Sequence, residues 1–251
     1  MHPLLQAFLI GLFYWLAKIN VGYTFTTRWA YVPMVMAVPI GLIMGDLTQA
    51  VIIGAYIQAV YLGLVSGLGG VITVDKALAT VLSIPIALKA GMSPELAVTM
   101  AIPFGLLGTT VVNVFKMIMS YFNHVADRAA AEGNAKKIRK LAYLYPPLVW
   151  LPLAVIPVTL IVYLGPDAVK AVLERIPESV LHGLAVAGGM LPALGFTMTV
   201  RTIGRKNLLP FFFAGFFLIQ YSGLSTIAAA IFGTILAVIY IQLKRGENYA
   251  S

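Results

Sequence analysis

At 251 residues, 60% hydrophobic and only 10% charged, with a mean hydropathy of +0.92, the chain lies far from the soluble norm of roughly 25% charged residues. That composition excludes a soluble globular domain and indicates an all-α polytopic membrane protein. The formal charge of +8 would suit nucleic acid in a soluble chain, but here Lys and Arg stand between apolar runs, where they mark the cytoplasmic side of a membrane. Cysteine is absent, which excludes disulfides and thiolate chemistry.

Leu4 to Ile19 is apolar apart from Gln6 and Lys18, and it carries Phe13, Tyr14 and Trp15 near one end. Aromatics so placed sit at a membrane interface, where Lys18 can snorkel. Met1-His2-Pro3 lacks a basic n-region, so no cleavable signal peptide is expected. Asn20 to Arg28 is polar and reads as a loop, and Tyr31 to Met44 follows with Pro33 and Pro39 placed to kink or interrupt a helix. Gly45 ends that helix, and Asp46 caps the next with Gln49 three residues on.

The stretch from Gly45 to Thr80 organises the rest. Ala50 to Val65 and Ala77 to Leu88 form two short arms around a glycine-rich break at Ser66, Gly67, Gly69 and Gly70. This is the pattern of a re-entrant hairpin within a broken region of about 45–90, with two tilted helices as the alternative. In lipid a backbone break is tolerated only where protein covers it or it lines a wet cavity, so the stretch is the expected binding site.

Leu96 to Met119 is a full span with a kink predicted at Pro103 and Gly105. The hydrophilic interval at 123–140 reads as a cytoplasmic loop or surface helix. Ala142 to Leu164 then runs outward, Gly165 to Pro177 is an outer or pocket-facing amphipathic segment, and Leu181 to Val200 returns to Arg201, Arg205 and Lys206. Leu208 to Tyr221 goes out and Thr226 to Leu243 comes back to Lys244 and Arg245, which places the C-terminus in the cytoplasm. Leu68-Gly-Gly-Val71 and Ala187-Gly-Gly-Met190 would mark corresponding breaks in two halves of a repeat. The whole chain, 1–251, reads as a single membrane-embedded domain.

No HExxH, GxSxG, P-loop or metal-spaced cluster occurs, so no catalytic residue, cofactor or metal site is expected. None of His2, His124 and His182 stands near a catalytic partner, and no phosphorylated residue is expected. Asp75 is the most informative acid, because a carboxylate at membrane depth costs about 3 kcal/mol and must face a cavity or a partner. It reads either as a ligand-binding group or as the N-cap of a helix beginning at Lys76, and the two are compatible where the helix offers free N–H donors. Lys76 points elsewhere. Gln58 both donates and accepts, which suits a hydroxyl-rich solute, with a helix-to-helix hydrogen bond as its alternative; Gln6 has the same two readings. Tyr56 and Tyr61 either stack on a sugar or pack within the helix.

The run from Gly45 to Gly63, GDLTQAVIIGAYIQAVYLG, resembles the signature of the IIC membrane subunit of the mannose/fructose/sorbose family of sugar phosphotransferase systems. The likeness continues through Val74 to Ala79, His124 to Asn134, Gly183 to Phe196 and Leu208 to Phe216, and so covers essentially the whole chain in order. It implies a sugar-translocating subunit of a bacterial cytoplasmic membrane that works with a homologous IID membrane subunit and soluble IIA and IIB phosphocarriers. The sugar would be phosphorylated from a phosphohistidine on IIB. It also implies a scaffold and a mobile core moving like an elevator, assembled as a trimer of IIC-IID heterodimers, with no nucleic acid. An ion-coupled secondary transporter is the alternative. By this resemblance Gln58 stands where mannose-type members have Glu, Asp75 matches the Asp of a P-D-A-x-x-A motif with Val74 and Lys76 replacing its neighbours, and Ser66 falls where some members have Asn. Val32 replaces an Arg before Pro33. The implied substrate-binding set is Gln58, Asp75, Ser66 and Gln6, for a hexose, an amino sugar or a larger conjugate.

Overall fold

The computed structural model describes residues 2–19, 32–62, 74–204 and 208–249. Among these the backbone is almost wholly α-helical, in two compact units, Met1–Thr199 and Val200–Ser251. The first unit holds α1 (Pro3–Lys18), α2 (Pro33–Met44), α3 (Leu47–Tyr61), α4 (Lys76–Ala90), α5 (Pro94–Ala131), α6 (Ala135–Tyr143), α7 (Tyr145–Leu173) and most of α8 (Glu178–Ile203).

In lipid, apolar helices gain little by meeting each other, so association rests on close packing at small residues. The buried face of α1, Ala7, Ile10, Gly11, Tyr14 and Ala17, recurs every three or four residues and lies against α7. Gly11 makes the approach close: a methyl there would lie 2.7 Å from Thr159 Oγ1 and 3.0 Å from the Val155 carbonyl oxygen. The tight helical hairpin of this unit is α2–α3. Gly45 turns it at φ +87, Asp46 Oδ1 caps α3 by accepting from the Gln49 N–H at 3.0 Å, and Gly54 admits Ala37. The cap is therefore as predicted.

The two expected arms around the glycine tip are α3 and α4, at boundaries close to those read from the sequence; the tip itself lies outside the described residues. At 15 residues α4 spans about 22 Å, short of a hydrocarbon layer of about 30 Å. Every residue from Ala77 to Ala87 is buried, among α1, α2, α3, α5 and α7. A helix apolar on all sides belongs in an interior, and α4 is the interior here.

The predicted span at Leu96 to Met119 is only part of α5. Its 38 residues measure about 57 Å, roughly twice the hydrocarbon thickness. Where a loop is one reading of 123–140, α5 runs on through an Ala-rich end to Ala131, turns at Gly133 with φ +66, and returns as α6. Phe122 on α5 meets Tyr145, just beyond the end of α6, at 5.2 Å, so the chain doubles back along α5. Leu141 and Ala129 are buried between them, while Lys136, Lys137, Arg139 and Lys140 are exposed. The interval is thus a surface helical hairpin, started by Asn134, which accepts from the Lys137 N–H at 3.1 Å.

Gly165 and Pro166 do not end α7, which continues to Leu173 through Pro152, Pro157 and Pro166. Proline is tolerated inside membrane helices because neighbouring groups satisfy the freed carbonyls. Likewise Gly188 and Gly189 are no break: they lie inside continuous α8, where Gly188 rests directly on the Glu95 carbonyl. Leu68 to Val71 lies outside the described residues. By length and apolar composition Pro94–Ala131, Ala135–Ala171 and Glu178–Arg201 are each able to cross a membrane.

The second unit contains the end of α8, then α9 (Leu209–Ser222) and α10 (Thr226–Tyr249), joined at Gly223 with φ +68. Phe211 meets Tyr240 at 5.9 Å. Large apolar side chains such as Phe212, Phe216, Ile231 and Leu236 are exposed, as suits contact with lipid.

Candidate functional site

The polar groups of the first unit gather where α3 ends and α4 begins. Asp75 N-caps α4: Oδ1 accepts from the N–H groups of Ala77 at 3.0 Å and Leu78 at 3.2 Å. The same oxygen lies 3.0 Å from Lys18 Nζ, and Oδ2 accepts from the Tyr14 hydroxyl at 2.8 Å. Its backbone N–H donates to the Gly105 carbonyl on α5 at 3.0 Å. One residue at 2% exposure therefore joins α1, α4 and α5.

The close approach of α5 is set by two glycines. A methyl at Gly108 would lie 2.5 Å from Asp75 Cβ, and one at Gly105 would collide with Val74 and the Tyr61 hydroxyl. Tyr61, the last residue of α3, is buried and donates to the Ala101 carbonyl at 2.9 Å. Lys76 Nζ donates to the Tyr61 carbonyl at 3.0 Å, placing a cation at the C-terminal, partly negative end of α3. The ends of α3 and α4 are thus held together from both sides of the 63–73 segment.

Gln58 stands one turn before Tyr61 on α3. Its Oε1 is enclosed and accepts no hydrogen bond among the described residues. A buried acceptor left so costs about 1–3 kcal/mol, which a ligand hydroxyl or amine would relieve. The other sequence-predicted residues fare differently. At the start of α4 the N–H groups of Ala77 and Leu78 are taken by the Asp75 side chain, so those two donors are not open to a ligand. Gln6 donates to the Ile43 carbonyl at 3.0 Å and ties α1 to the end of α2. It is twelve positions before Lys18 on one helix, or about 18 Å along the axis, so it is not brought to the α3–α4 junction. Ser66 lies outside the described residues. Of the tyrosines, Tyr61 packs, while Tyr56 lies near the Glu95 carboxylate.

Sequence reasoning missed Lys18, Tyr14 and Trp150. Trp150 is buried on α7 with its ring 5.8 Å from Tyr14 and 5.0 Å from Phe115, backing the tyrosine that holds Asp75. The available signal was charge balance: Lys18 interrupts the first apolar run and Asp75 interrupts the fourth, and opposite charges within a membrane pair with one another.

The family described as EII-Sor, the PTS system sorbose-specific IIC component, matches residues 4–239. The chain belongs to this family. Among IIC relatives, the mannose-specific EIIC component of Escherichia coli (strain K12) is 30% identical over 216 residues, 86% of this chain and 81% of that protein. The sorbose-specific EIIC component of Klebsiella pneumoniae is 32% identical over 212 residues, 84% of this chain and 79% of that protein. The N-acetylgalactosamine permease IIC component 1 of Escherichia coli (strain K12) is 28% identical over 232 residues, 92% and 83% of the two chains. A solved structure described as "Structure of membrane protein" superposes with a TM-score of 0.81 at 27% identity, over 98% of this chain and 97% of that one. This IIC chain therefore has the fold of a membrane protein along nearly its whole length.

Proposed function

We propose that this IIC chain binds a sugar at the junction of α3 and α4 and carries it inward for phosphorylation by a IIB partner. The observation that supports the site is the enclosed Oε1 of Gln58, which has no hydrogen-bond partner among the described residues and lies one turn before the end of α3 that Lys76 ties to α4. In this reading Gln58 touches the sugar and Ser66, in the segment joining the two helices, adds a second polar contact. Asp75 belongs to the site as the residue that holds α4 in place. Gln6, the remaining member of the implied set, serves through its tie to α2.

A neutral amide is the appropriate group for a substrate rich in hydroxyls, since it offers both donor and acceptor without the desolvation cost of a charge. The proposed substrates are a hexose, an amino sugar or a larger sugar conjugate; mannose, sorbose and N-acetylgalactosamine appear in the names of the relatives above. The phosphoryl group would come from IIB, which agrees with a chain lacking catalytic motifs. The proposed assembly is a trimer of heterodimers with a homologous IID subunit in the bacterial cytoplasmic membrane, with IIA and IIB docking from the cytoplasm. The basic residues at Lys136 to Lys140, Arg201 to Lys206 and Lys244 to Arg245 support a cytoplasmic C-terminus. Elevator-like movement of a core against a scaffold is proposed with it, the short, fully enclosed α4 lying in the core.

The test is to co-express the chain with its IID companion in vesicles and supply labelled sugars with and without the phosphoenolpyruvate-driven soluble proteins. Phosphosugar formed only with those proteins supports group translocation. Unmodified sugar accumulating without them would instead establish a secondary transporter.

A further inference from the structure

Both oxygens of the buried Asp75 carboxylate are engaged within the protein. Oδ1 serves two backbone N–H groups and the Lys18 ammonium, and Oδ2 serves the Tyr14 hydroxyl. Of the about four lone-pair positions of an ionised carboxylate, those on Oδ1 are taken up by three donors, while Oδ2 has one of its own engaged by Tyr14. The side chain is 1% exposed, against 20% for Lys18. Lys18 and Tyr14 lie one turn apart on α1, so a single helix face reaches across to the start of α4.

We propose that Lys18 and Tyr14 are positioning residues for translocation: they hold Asp75 in its cap, so that Asp75 acts on the sugar by placing the α3–α4 junction and not by touching it. The proposal rests on the sugar reading above. The carboxylate and the ammonium are needed because each neutralises the other inside the membrane. The cap itself needs only an oxygen, which an amide also supplies. Charge is therefore dispensable as a pair and indispensable one partner at a time.

The experiment compares Lys18→Met, Asp75→Asn, the double variant and Tyr14→Phe, each co-assembled with the IID companion, in phosphosugar uptake per assembled complex and in thermal unfolding. The single charge variants are expected to lose at least tenfold in uptake, and the double variant to return to within about threefold of the native rate with its KM unchanged. Tyr14→Phe, which removes one hydroxyl and keeps the ring, is expected to lower the maximal rate three- to tenfold at constant KM. A double variant that assembles and melts normally yet stays as inactive as Asp75→Asn would show that the carboxylate contacts the sugar, and would overturn the proposal. Native uptake by Lys18→Met would overturn it too. Should the single variants fail to assemble, recovery of assembly and uptake in the double variant supports the proposal, and recovery of assembly alone refutes it. If the native complex phosphorylates no sugar, the sugar reading fails by itself; a double variant then melting no higher than Lys18→Met would refute the coupling independently.

Discussion

Gly108 is the position on α5 where the smallest change should reach the site. A methyl group there would lie 2.5 Å from Asp75 Cβ and 2.9 Å from Leu78 Cβ. Non-bonded carbons settle at about 3.5–4.0 Å, so Gly108→Ala forces the first turn of α4 back by about 1 Å. The Tyr14 bond to Asp75 begins at 2.8 Å and the Lys18 pair at 3.0 Å, and a shift of that size takes either one beyond good hydrogen-bond length, about 3.2 Å. Overpacking of this kind costs about 1–3 kcal/mol. A misplacement of about 1 Å can cost on the order of a hundredfold in rate. Uptake per assembled complex should therefore fall at least tenfold, with a lower melting temperature. Gly54→Ala is the control. Its methyl would lie 2.5 Å from Ala37 Cβ, an equal collision, but between α2 and α3. It should destabilise to a similar degree and lower uptake per complex less than Gly108→Ala does. Native uptake by Gly108→Ala, or an equal loss in Gly54→Ala, would sink the argument that α5 positions the site through Asp75.

Three further substitutions separate binding from packing. Gln58→Leu removes the enclosed Oε1 that has no partner among the described residues; it should abolish uptake while the complex melts at or above the native temperature, whereas a helix-to-helix role predicts a lower one. Gln6→Leu breaks the bond to the Ile43 carbonyl and should cost about 1 kcal/mol of stability, read by thermal unfolding, with KM for the sugar unchanged. Ser83→Ala deletes a buried hydroxyl that has no partner among the described residues, so stability should stay level or rise slightly in the same assay.

Helix positions were legible wherever a local signal stood at an end. Asp46 and Asp75 each precede a helix and each accepts from an N–H in its first turn. The misplaced ends came from residues that act differently in lipid. Pro166 reads as a stop in water, yet α7 passes through it. At the hydrophilic interval, polarity left a loop or a surface helix open, and helix propensity in Ala129 to Ala131 with the Asn134 cap produced a hairpin of two helices. The site was half legible. Gln58 and Asp75 stood out as polar residues inside apolar runs, because that anomaly is local. The bond between Tyr14 and Asp75 crosses 61 positions, and no periodicity carries information over that distance.

The length of α4 explains why so much polar apparatus collects at its start. A helix of about 22 Å cannot reach both faces of a hydrocarbon layer of about 30 Å, so at least one end must stop at depth. Backbone groups exposed there each cost several kcal/mol unless bonded within the protein. At the C-terminal end Gly91, in the left-handed conformation, donates its N–H to the Ala87 carbonyl and closes the last turn. At the N-terminal end Asp75 covers the free N–H groups with a charge, which cannot stay alone in lipid and therefore requires Lys18. The short helix, the buried ion pair and the two glycines of α5 are thus consequences of one another. Their common result is that the start of α4 is fixed against α1 and α5 close to where α3 ends.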